Sequence, residues 1–410
     1  MEKYQDLSVW AYSNSDKDVI DEYQRRFNPV TTLKTGLFIN PIFKGQRVNK
    51  TFELFLLTPL KMLNLQEKIM QNSKRVVELR NMLPPIASTQ LFNHTLVKEI
   101  ISTNEIEDIK ITAQEVNNAI ASLQNEGKKD VRLVSCVKMY QKIENRENLT
   151  IKQLTDIREI YDFLLKNEVD EANLPDGDLF RNSFARIGTQ DKTIHTPKQN
   201  EKDLLPDLMQ WISFINNEEL PALFKAFIAH YYFEYIHPFK DGNGRTGRYI
   251  ACVYLGYKLD PLTAITFSSE INANKNKYYK AFENVSNPRN FGEITFFVMA
   301  MLEILCSGQA KLLADLEEKN NLFSYGASKI DELWTDEVES DVIFLHFQST
   351  LFNDNDLGLE DRELYLYAKK GKSTVKKALE RLTKKGILLK TKGSPLARKL
   401  SQEALEQILS

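Results

Sequence analysis

The sequence predicts a mostly α-helical protein, and three observations support this fold class. Glycine accounts for 16 of 410 residues, below the average share of ~7%, which disfavours turn-rich β-sandwiches, barrels and propellers. Apolar residues recur at helical spacing along most of the chain, for example at Ile151, Leu154, Ile157 and Ile160. Helix starts are also marked, because Thr112 with Glu115 three residues later forms a capping box.

Composition and charge exclude several further classes of protein. The chain has 54 Lys and Arg residues and 56 Asp and Glu residues, which gives a net charge of −2. Because a surface that binds nucleic acid is basic, such a surface could cover only a limited part of this protein. The three cysteines, Cys136, Cys252 and Cys306, fit neither a disulfide framework nor a zinc site. The N-terminus lacks the pattern of a signal peptide, and no early apolar run approaches the ~20 residues of a membrane helix. We therefore expect a cytoplasmic protein without membrane attachment.

The chain divides into four predicted segments. Residues 1–85 form a partly helical N-terminal region, with a helix predicted from Leu54 to Leu79. Residues 86–315 are predicted to form one helical core, in which 187–195 has the β-branched ends and polar centre of a small hairpin. A charged stretch predicts a linker over residues 316–335, and residues 336–410 are predicted to form a separate unit.

One short segment, HPFKDGNGRTGR from His237 to Arg248, concentrates residues that bear chemistry. An apolar helix runs into His237, and Pro238 ends it. An acid, Asp241, and a Gly-Asn-Gly turn follow, and a second helix is expected to begin near Gly244. Glycines allow successive N–H groups to converge on an anion, and a helix N-terminus favours negative charge.

These elements together predict phosphoryl or nucleotidyl transfer. Arg245 and Arg248 lie three residues apart on one helical face and add positive charge. Asp241 is the kind of ligand that holds Mg²⁺ beside phosphates, and His237 could take a proton from an attacking hydroxyl. Taken singly, a His before Pro often only caps a helix and Gly-Asn-Gly is often only a turn. Their contiguity favours a functional site.

The segment resembles the Fic motif, His-x-Phe-x-Asp/Glu-Gly-Asn-Gly-Arg-x-x-Arg, at every specified position. The preceding residues 224–236 also resemble the family, and the resemblance covers roughly residues 80–310. It implies a Fic helical core with a small β-hairpin flap. The implied activity is transfer of AMP from ATP to hydroxyl side chains of proteins.

The resemblance also implies roles for individual residues. His237 would be the general base for a target Ser, Thr or Tyr hydroxyl, and Asp241 would bind Mg²⁺ with ATP as substrate. Arg245 would hold the phosphates, and Arg248 would bind the γ-phosphate. The anion hole would be formed by Gly242, Asn243 and Gly244.

Further parts of the cleft are implied less directly. Tyr278 and Tyr279 resemble the segment that helps form the adenine pocket, although two aromatics divided between core and surface would give the same pattern. The hairpin 187–195 would be the flap on which an extended segment of the target protein docks. His195, at its end, either lines the cleft or is structural, and His230, two helical turns before His237, is expected to be structural.

An inhibitory helix is also implied. The segment from Thr103 to Asp108, TNEIED, resembles the family pattern Ser/Thr-x-x-x-Glu-Gly/Asn of the class with an N-terminal brake. It implies a helix near residues 98–110 in which Glu107, with Thr103, occupies the place of the γ-phosphate at Arg248. The sequence departs from the pattern at Asp108. Glu105 is an alternative candidate, and Glu107 would otherwise be an ordinary surface acid.

Residues 336–410 resemble a winged helix-turn-helix. Ser373 is expected to cap a helix with an apolar stripe at Val375, Leu379 and Leu382, and strands are predicted at 387–390 and 397–400. Basic residues far outnumber acids here, at positions 372, 376, 377, 381, 384, 385, 390, 392, 398 and 399. Such a face could bind DNA. The alternative is a protein-interaction or homodimer module.

The sequence therefore predicts an autoinhibited protein adenylyltransferase. Two alternatives stay open: a bifunctional enzyme that also removes AMP, and a DNA-binding regulator whose Fic core senses nucleotide. The target protein, the modified side chain, the signal that relieves inhibition and a role for residues 1–80 do not follow from any pattern in the sequence.

Overall fold

The computed structural model describes residues 4–123, 132–185, 187–188, 193–353, 358–393 and 395–410. The predicted fold class is confirmed, because the structure is predominantly helical with small antiparallel sheets. The helices are α1 (Leu7–Ser13), α2 (Val19–Phe27), α3 (Leu60–Asn81), α4 (Pro85–Ile106), α5 (Ala113–Leu123), α6 (Val134–Glu144), α7 (Leu154–Leu164), α8 (Glu201–Ile215), α9 (Ala222–Ile236), α10 (Asn243–Lys258), α11 (Pro261–Ala264), α12 (Phe267–Ala273), α13 (Lys275–Ser286), α14 (Thr295–Leu333), α15 (Glu337–Phe352), α16 (Asp361–Tyr367), α17 (Lys372–Lys384) and α18 (Gln402–Leu409). The strands are β1 (Leu33–Ile39), β2 (Ile42–Phe43), β3 (Gln46–Arg47), β4 (Phe52–Leu56), β5 (Ile187–Gly188), β6 (Thr193–His195), β7 (Leu359–Glu360), β8 (Leu388–Gly393) and β9 (Leu396–Leu400).

The chain forms two compact units. One comprises Met1–Ser73 with Lys98–Gln309, and the other comprises Lys74–Val97 with Ala310–Ser410. The segment 316–335, which we predicted to be a linker, lies mostly within α14. Its Glu, Lys and Leu side chains are good helix formers, so its polarity marks an exposed helix face and not a break in the structure.

Two antiparallel strand pairs occupy residues 33–56. β1 pairs with β4, and β2 pairs with β3. The helix that we predicted from Leu54 begins only at Leu60, because Leu54 belongs to β4. The Phe55 N–H donates to the Gly292 carbonyl at 3.2 Å, and its carbonyl accepts from the Ile294 N–H at 2.9 Å. A short apolar run does not reveal so distant a partner.

Helices α9 and α10 lie at the centre of the first unit. Nearly every side chain of α9 is buried, as expected for a helix that is apolar on all sides. Trp211 of α8 donates its indole N–H to the Ala229 carbonyl at 2.8 Å. Pro238 follows the end of α9, where His237 adopts the left-handed conformation with φ of 54°. A short loop then leads to α10, which begins at Asn243.

The second unit contains helices α15 to α18 and a sheet of strand order β7-β9-β8 around an apolar cluster. The order of helix, strand, turn and strand predicted for this region is observed, with Gly371 and not Ser373 at the N-cap of α17. Its assignment as a winged helix-turn-helix stays a prediction. Arg398 does not belong to the predicted basic face, because it is buried and pairs with Asp361.

One helix in the described part of the chain, α14, is long and apolar enough to cross a bilayer by length and composition alone. Of its most apolar window, 61% is buried inside the protein. Such burial is typical of a helix packed in a protein core.

A buried acid connects α4 to the core of the first unit. Glu99 is fully buried, accepts the Ser268 N–H at 2.8 Å and lies 3.4 Å from the Cys252 thiol of α10. Burial raises the pKa of Glu99 to about 7.

We expect Glu99→Gln to stabilise the protein increasingly as the pH rises. The folded protein holds a proton on Glu99 that the unfolded chain releases at a lower pH, so the native state loses stability as the pH rises through this window. Glutamine resembles the protonated acid and does not titrate. The gain in melting temperature over wild type should therefore be larger at about pH 8 than at about pH 5. The same gain at both pH values would contradict this prediction, and Glu67→Gln on the exposed face of α3 is the control.

Candidate active site

A cavity of about 370 Å³ lies where α9 ends and α10 begins. Its volume falls in the range of small-molecule sites. Side chains from five separate parts of the chain line it, including Lys44, Glu107, His195, Glu234, His237, Gly244, Arg248, Tyr278 and Tyr279. The structure thus brings together the base, one glycine, one arginine, the tyrosines and the inhibitory acid that the sequence predicts.

His237 is held in one position at the end of α9. Its backbone N–H donates to the Phe233 carbonyl at 2.9 Å, and its own carbonyl accepts from Arg181 Nε at 2.7 Å. Burial, reinforced by the Arg181 guanidinium, lowers the pKa of His237 to about 3. The imidazole is therefore neutral at pH 7, as a general base must be.

The loop between the two helices is closed by Asn243. Its side chain accepts the Phe239 N–H and donates to the Phe239 carbonyl, both at 2.8 Å. Gly242 has φ of 81°, and a β-carbon at this position would collide with Leu165. The N–H groups of the first turn of α10 have no partner within the helix, so this N-terminus can bind an anion.

Arg248 is almost completely buried and contacts the end of α4. Its Nε donates to Thr103 Oγ1 at 3.0 Å, and its Nη2 donates to the Thr103 carbonyl at 2.8 Å and to Glu107 Oε1 at 2.7 Å. Burial opposes the charge of Arg248, but the Glu107 carboxylate raises its pKa above the ordinary value. A β-carbon at Gly244 would collide with the same carboxylate. Glu107 therefore lies directly against the first turn of α10.

Four residues of the motif to which the resemblance gives a role in ligand binding do not line the cavity: Asp241, Gly242, Asn243 and Arg245. Asp241 Oδ2 lies 3.3 Å from Arg245 Nη2, and Asp241 Oδ1 accepts the Gly242 N–H at 2.5 Å. Within the part of the chain that the structure describes, Arg245 Nε and Nη1 are buried without a hydrogen-bond partner. Their unused donors fit the predicted role of Arg245 as a phosphate ligand.

The residues present fit a Mg²⁺ ion that arrives with a nucleotide. Mg²⁺ commonly binds one or two carboxylates and takes its other ligands from water and phosphate, and Asp241 is partly exposed beside the loop. No group of three or more His, Cys, Asp or Glu forms a ready-made metal site among the described residues. The metal-binding role of Asp241 stays a prediction.

Comparison with known proteins identifies the domain. Residues 149–255 match the model of the Fic/DOC family. The chain therefore contains a Fic domain at residues 149–255. Members of this family generally transfer AMP or other nucleotide groups to proteins.

The fold is similar to that of one solved Fic family protein, and two further Fic structures match at lower TM-scores. A Fic family protein from Desulfovibrio desulfuricans G20 is 20% identical, with a TM-score of 0.52 over 84% of this chain and 97% of that chain. A Fic domain-containing signaling protein from Bacteroides thetaiotaomicron VPI-5482 is 17% identical, with a TM-score of 0.44 over 61% and 95%. Fic-1 from C. elegans is 18% identical, with a TM-score of 0.42 over 64% and 75%.

Two residues near His237 were not predicted from the sequence. Arg181 is fully buried and donates to the carbonyls of His237 (2.7 Å) and Lys198 (2.6 Å), but a lone Arg in a polar stretch carries no recognisable pattern. Glu234 lies one helical turn before His237, and burial raises its pKa to about 8. The spacing of three residues between Glu234 and His237 could have identified Glu234 from the sequence, since residues three apart at a helix end lie on one side of the helix.

The hairpin that we predicted to be a flap has its base in β5 and β6, which pair as predicted, while residues 189–192 lie outside the described residues. His195 lines the cavity, and its Nε2 lies 2.8 Å from the Tyr235 carbonyl. Arg47 donates to the Thr196 carbonyl at 3.0 Å. The N-terminal region, to which the sequence assigned no role, therefore supports the flap through the β2–β3 hairpin.

The two tyrosines of α13 divide between core and surface, and both still line the cavity. Tyr278 is buried and its hydroxyl lies 2.8 Å from His230 Nε2, whereas Tyr279 is 44% exposed. His230 thus has the structural partner that we expected for it. The adenine-pocket role of the tyrosines stays a prediction.

Asp108, where the sequence departs from the family pattern, lies just after the end of α4. Asp108 adopts the left-handed conformation with φ of 58°, and the Ile109 N–H donates to the Asn104 carbonyl at 3.0 Å. Glycine and asparagine are favoured at such a helix end because other side chains are strained there. Glu105, the alternative inhibitory acid, instead accepts from Asn272 at 2.7 Å.

We expect Asp108→Gly to raise the melting temperature. Glycine removes a left-handed strain of roughly 1 kcal/mol, and a firmer helix end should also hold Glu107 more tightly. Asparagine at position 108 tolerates the left-handed conformation but carries no charge. Alanine at position 108 neither tolerates this conformation nor carries a charge. Thermal denaturation should place the alanine variant lowest. An alanine variant as stable as the glycine variant would show that charge, and not conformation, governs this position.

Proposed function

We propose that this Fic domain protein transfers AMP from Mg·ATP to a Ser, Thr or Tyr hydroxyl of another protein. The observation that carries the proposal is the shared cavity. It places the neutral imidazole of His237 beside the N-terminal turn of α10 and the guanidinium of Arg248. A base and an anion-binding site in one cleft are the two requirements of this reaction.

In the proposed reaction, His237 accepts the proton of the target hydroxyl as its oxygen attacks the α-phosphorus. The bond to the β-phosphate breaks, and pyrophosphate leaves with the electron pair. The N–H groups of the α10 turn bind the phosphate oxygens, and Arg248 binds the γ-phosphate. Asp241 would hold Mg²⁺, which supplies positive charge against the phosphates.

The same geometry supports our proposal that Glu107 inhibits the enzyme. The Glu107 carboxylate makes a 2.7 Å contact to Arg248 and lies against Gly244. A buried arginine bound to a carboxylate has little capacity left for a phosphate in the same place. In our proposal ATP must displace Glu107 to bind productively.

The test uses α-labelled ATP with Mg²⁺ and follows label on the enzyme and on lysate proteins. We expect strong labelling by Glu107→Gly, weak labelling by wild type and none by Glu107→Gly/His237→Ala. Glu107→Gln is the matched control, since it keeps the size of the side chain while removing the charge that Arg248 binds. It should also label more than wild type.

Three results would count against parts of the proposal. Equal labelling by wild type and Glu107→Gly would contradict inhibition by Glu107. Labelling that persists in the His237→Ala variant would contradict the role of His237 as the general base. Loss of label from a modified target only when Glu107 is present would favour the bifunctional enzyme that also removes AMP.

A second function, DNA binding by the C-terminal unit, is favoured by one observation. The exposed face of α17 carries Lys372, Lys376, Lys377 and Lys384 without an ion pair among the described residues. Two other basic residues expected on this face, Arg381 and Lys385, instead pair with Glu339 at 2.9 and 2.7 Å. The exposed lysines on one helix are suited to phosphate contacts.

We expect Lys376→Gln/Lys377→Gln to weaken DNA binding and flatten its salt dependence. Each lost phosphate contact should reduce the slope of log K against log salt by about 0.9. Fluorescence anisotropy with a labelled duplex over a salt series measures this. The control is Lys138→Gln/Lys142→Gln on the exposed face of α6, which makes the same change in net charge. Equal weakening by both pairs would mean that the protein has no DNA-binding face on α17.

A further inference from the structure

A second cavity, of about 460 Å³, borders the same pair of central helices. It shares no lining residue with the active-site cavity. Its walls come from α8, α9, α10 and residues 148–151, all within the first unit. Neither the Fic motif nor the proposed reaction uses this space.

Small side chains on the two central helices create the space. Ala226 and Ala229 of α9 and Gly247 and Ala251 of α10 all line it. Larger apolar residues complete the walls, namely Trp211, Phe233 and Ile250. A cavity of this size that combines apolar side chains with polar and charged groups has the character of a small-molecule site.

One of the charged groups that line this cavity, the ammonium of Lys225, belongs to a buried residue. The residue is only 6% exposed, and Nζ donates to the Asn217 carbonyl at 2.6 Å. An ammonium has three N–H donors, and this carbonyl is its one hydrogen-bond acceptor among the described residues. No ion pair neutralises Lys225 within that same part of the chain. A buried charge without a counter-ion is costly.

A second lysine adds to the positive charge. Lys258 Nζ lies 5.8 Å from the ring centre of Tyr254 and 5.1 Å from that of Tyr257, and Lys225 Nζ lies 5.6 Å from the Tyr254 ring. Glu218 is the one acid in the lining. The two ammonium groups therefore leave the cavity with a net positive charge.

We propose that this cavity binds a small organic anion, with its carboxylate or phosphate at Lys225 and Lys258 and its apolar body against Trp211. Burial and the nearby Lys258 lower the pKa of Lys225 by more than the Glu218 carboxylate raises it. A bound anion would supply the missing counter-charge and the missing hydrogen-bond acceptors. This proposal does not depend on AMP transfer.

Two probes of the same shape test the proposal on the full chain. One is 1-anilinonaphthalene-8-sulfonate, and the other is N-phenyl-1-naphthylamine, which has the same rings without the anionic group. Energy transfer from tryptophan reports binding near Trp211. We expect the anionic probe to bind about tenfold more tightly or better, as for a charge-assisted contact.

Three variants decide the outcome. Lys225→Met keeps the length of the side chain and should abolish the preference for the anionic probe. Lys258→Met changes an exposed residue, so it tests the same charge without risk to folding, and it should reduce the preference. Ala226→Leu fills the cavity and should weaken both probes, whereas Lys202→Met, exposed on α8, should change neither.

Equal affinity for the two probes in wild type would overturn the proposal. A preference that survives both Lys225→Met and Lys258→Met would do the same. So would binding that persists in Ala226→Leu and is displaced by ATP, because that result would place the probe in the active-site cavity.

Discussion

The turn between α9 and α10 is the constraint on which the rest of the site depends. Only a few residues separate the two helices, and two of the positions around them, His237 and Gly242, adopt left-handed conformations. Asn243 ties the loop to Phe239 through two hydrogen bonds. This short reversal places a histidine at the end of one helix within the same cavity as the free N–H groups of the next. A longer loop would separate the base from the anion-binding turn.

A buried arginine then determines what this cavity can bind. Arg248 is 1% exposed, so it requires anionic or carbonyl partners in every state of the protein. In the structure Thr103 and Glu107 meet that requirement. A phosphate could replace the carboxylate because it offers the same charge-assisted hydrogen bonds. Inhibition and substrate binding, as proposed, are thus two ways of satisfying one buried charge.

Much of this site was predictable from the sequence, since its chemistry is concentrated in twelve contiguous residues. The helix ended by Pro238, the glycine turn and the start of α10 all follow from local rules. The contributions of Arg181, Arg47 and Lys44 do not, because they come from segments distant in sequence with no local pattern. Leu54–Leu56 shows the same limit in the fold, since a short apolar run becomes a strand through its pairing with β1 and its bonds to residues near 292. The polar helix surface at residues 316–335 was mistaken for a linker because exposed helices and loops share a composition.

The end of α4, which we propose to be inhibitory, is held by the segment that also carries the two tyrosines. Lys275 donates to the Glu105 carbonyl at 2.7 Å, Asn272 donates to the Glu105 carboxylate at 2.7 Å, and the Tyr279 hydroxyl lies 3.4 Å from the Ile106 carbonyl. These contacts are partly exposed, and each contributes on the order of 1 kcal/mol. Besides the ion pair with Arg248, these bonds contribute to the position of Glu107. Because Tyr278 and Tyr279 line the cavity, a nucleotide bound there would press on the same segment that fixes the helix end. A ligand needs only a few kcal/mol of preference for the open state to shift such an equilibrium.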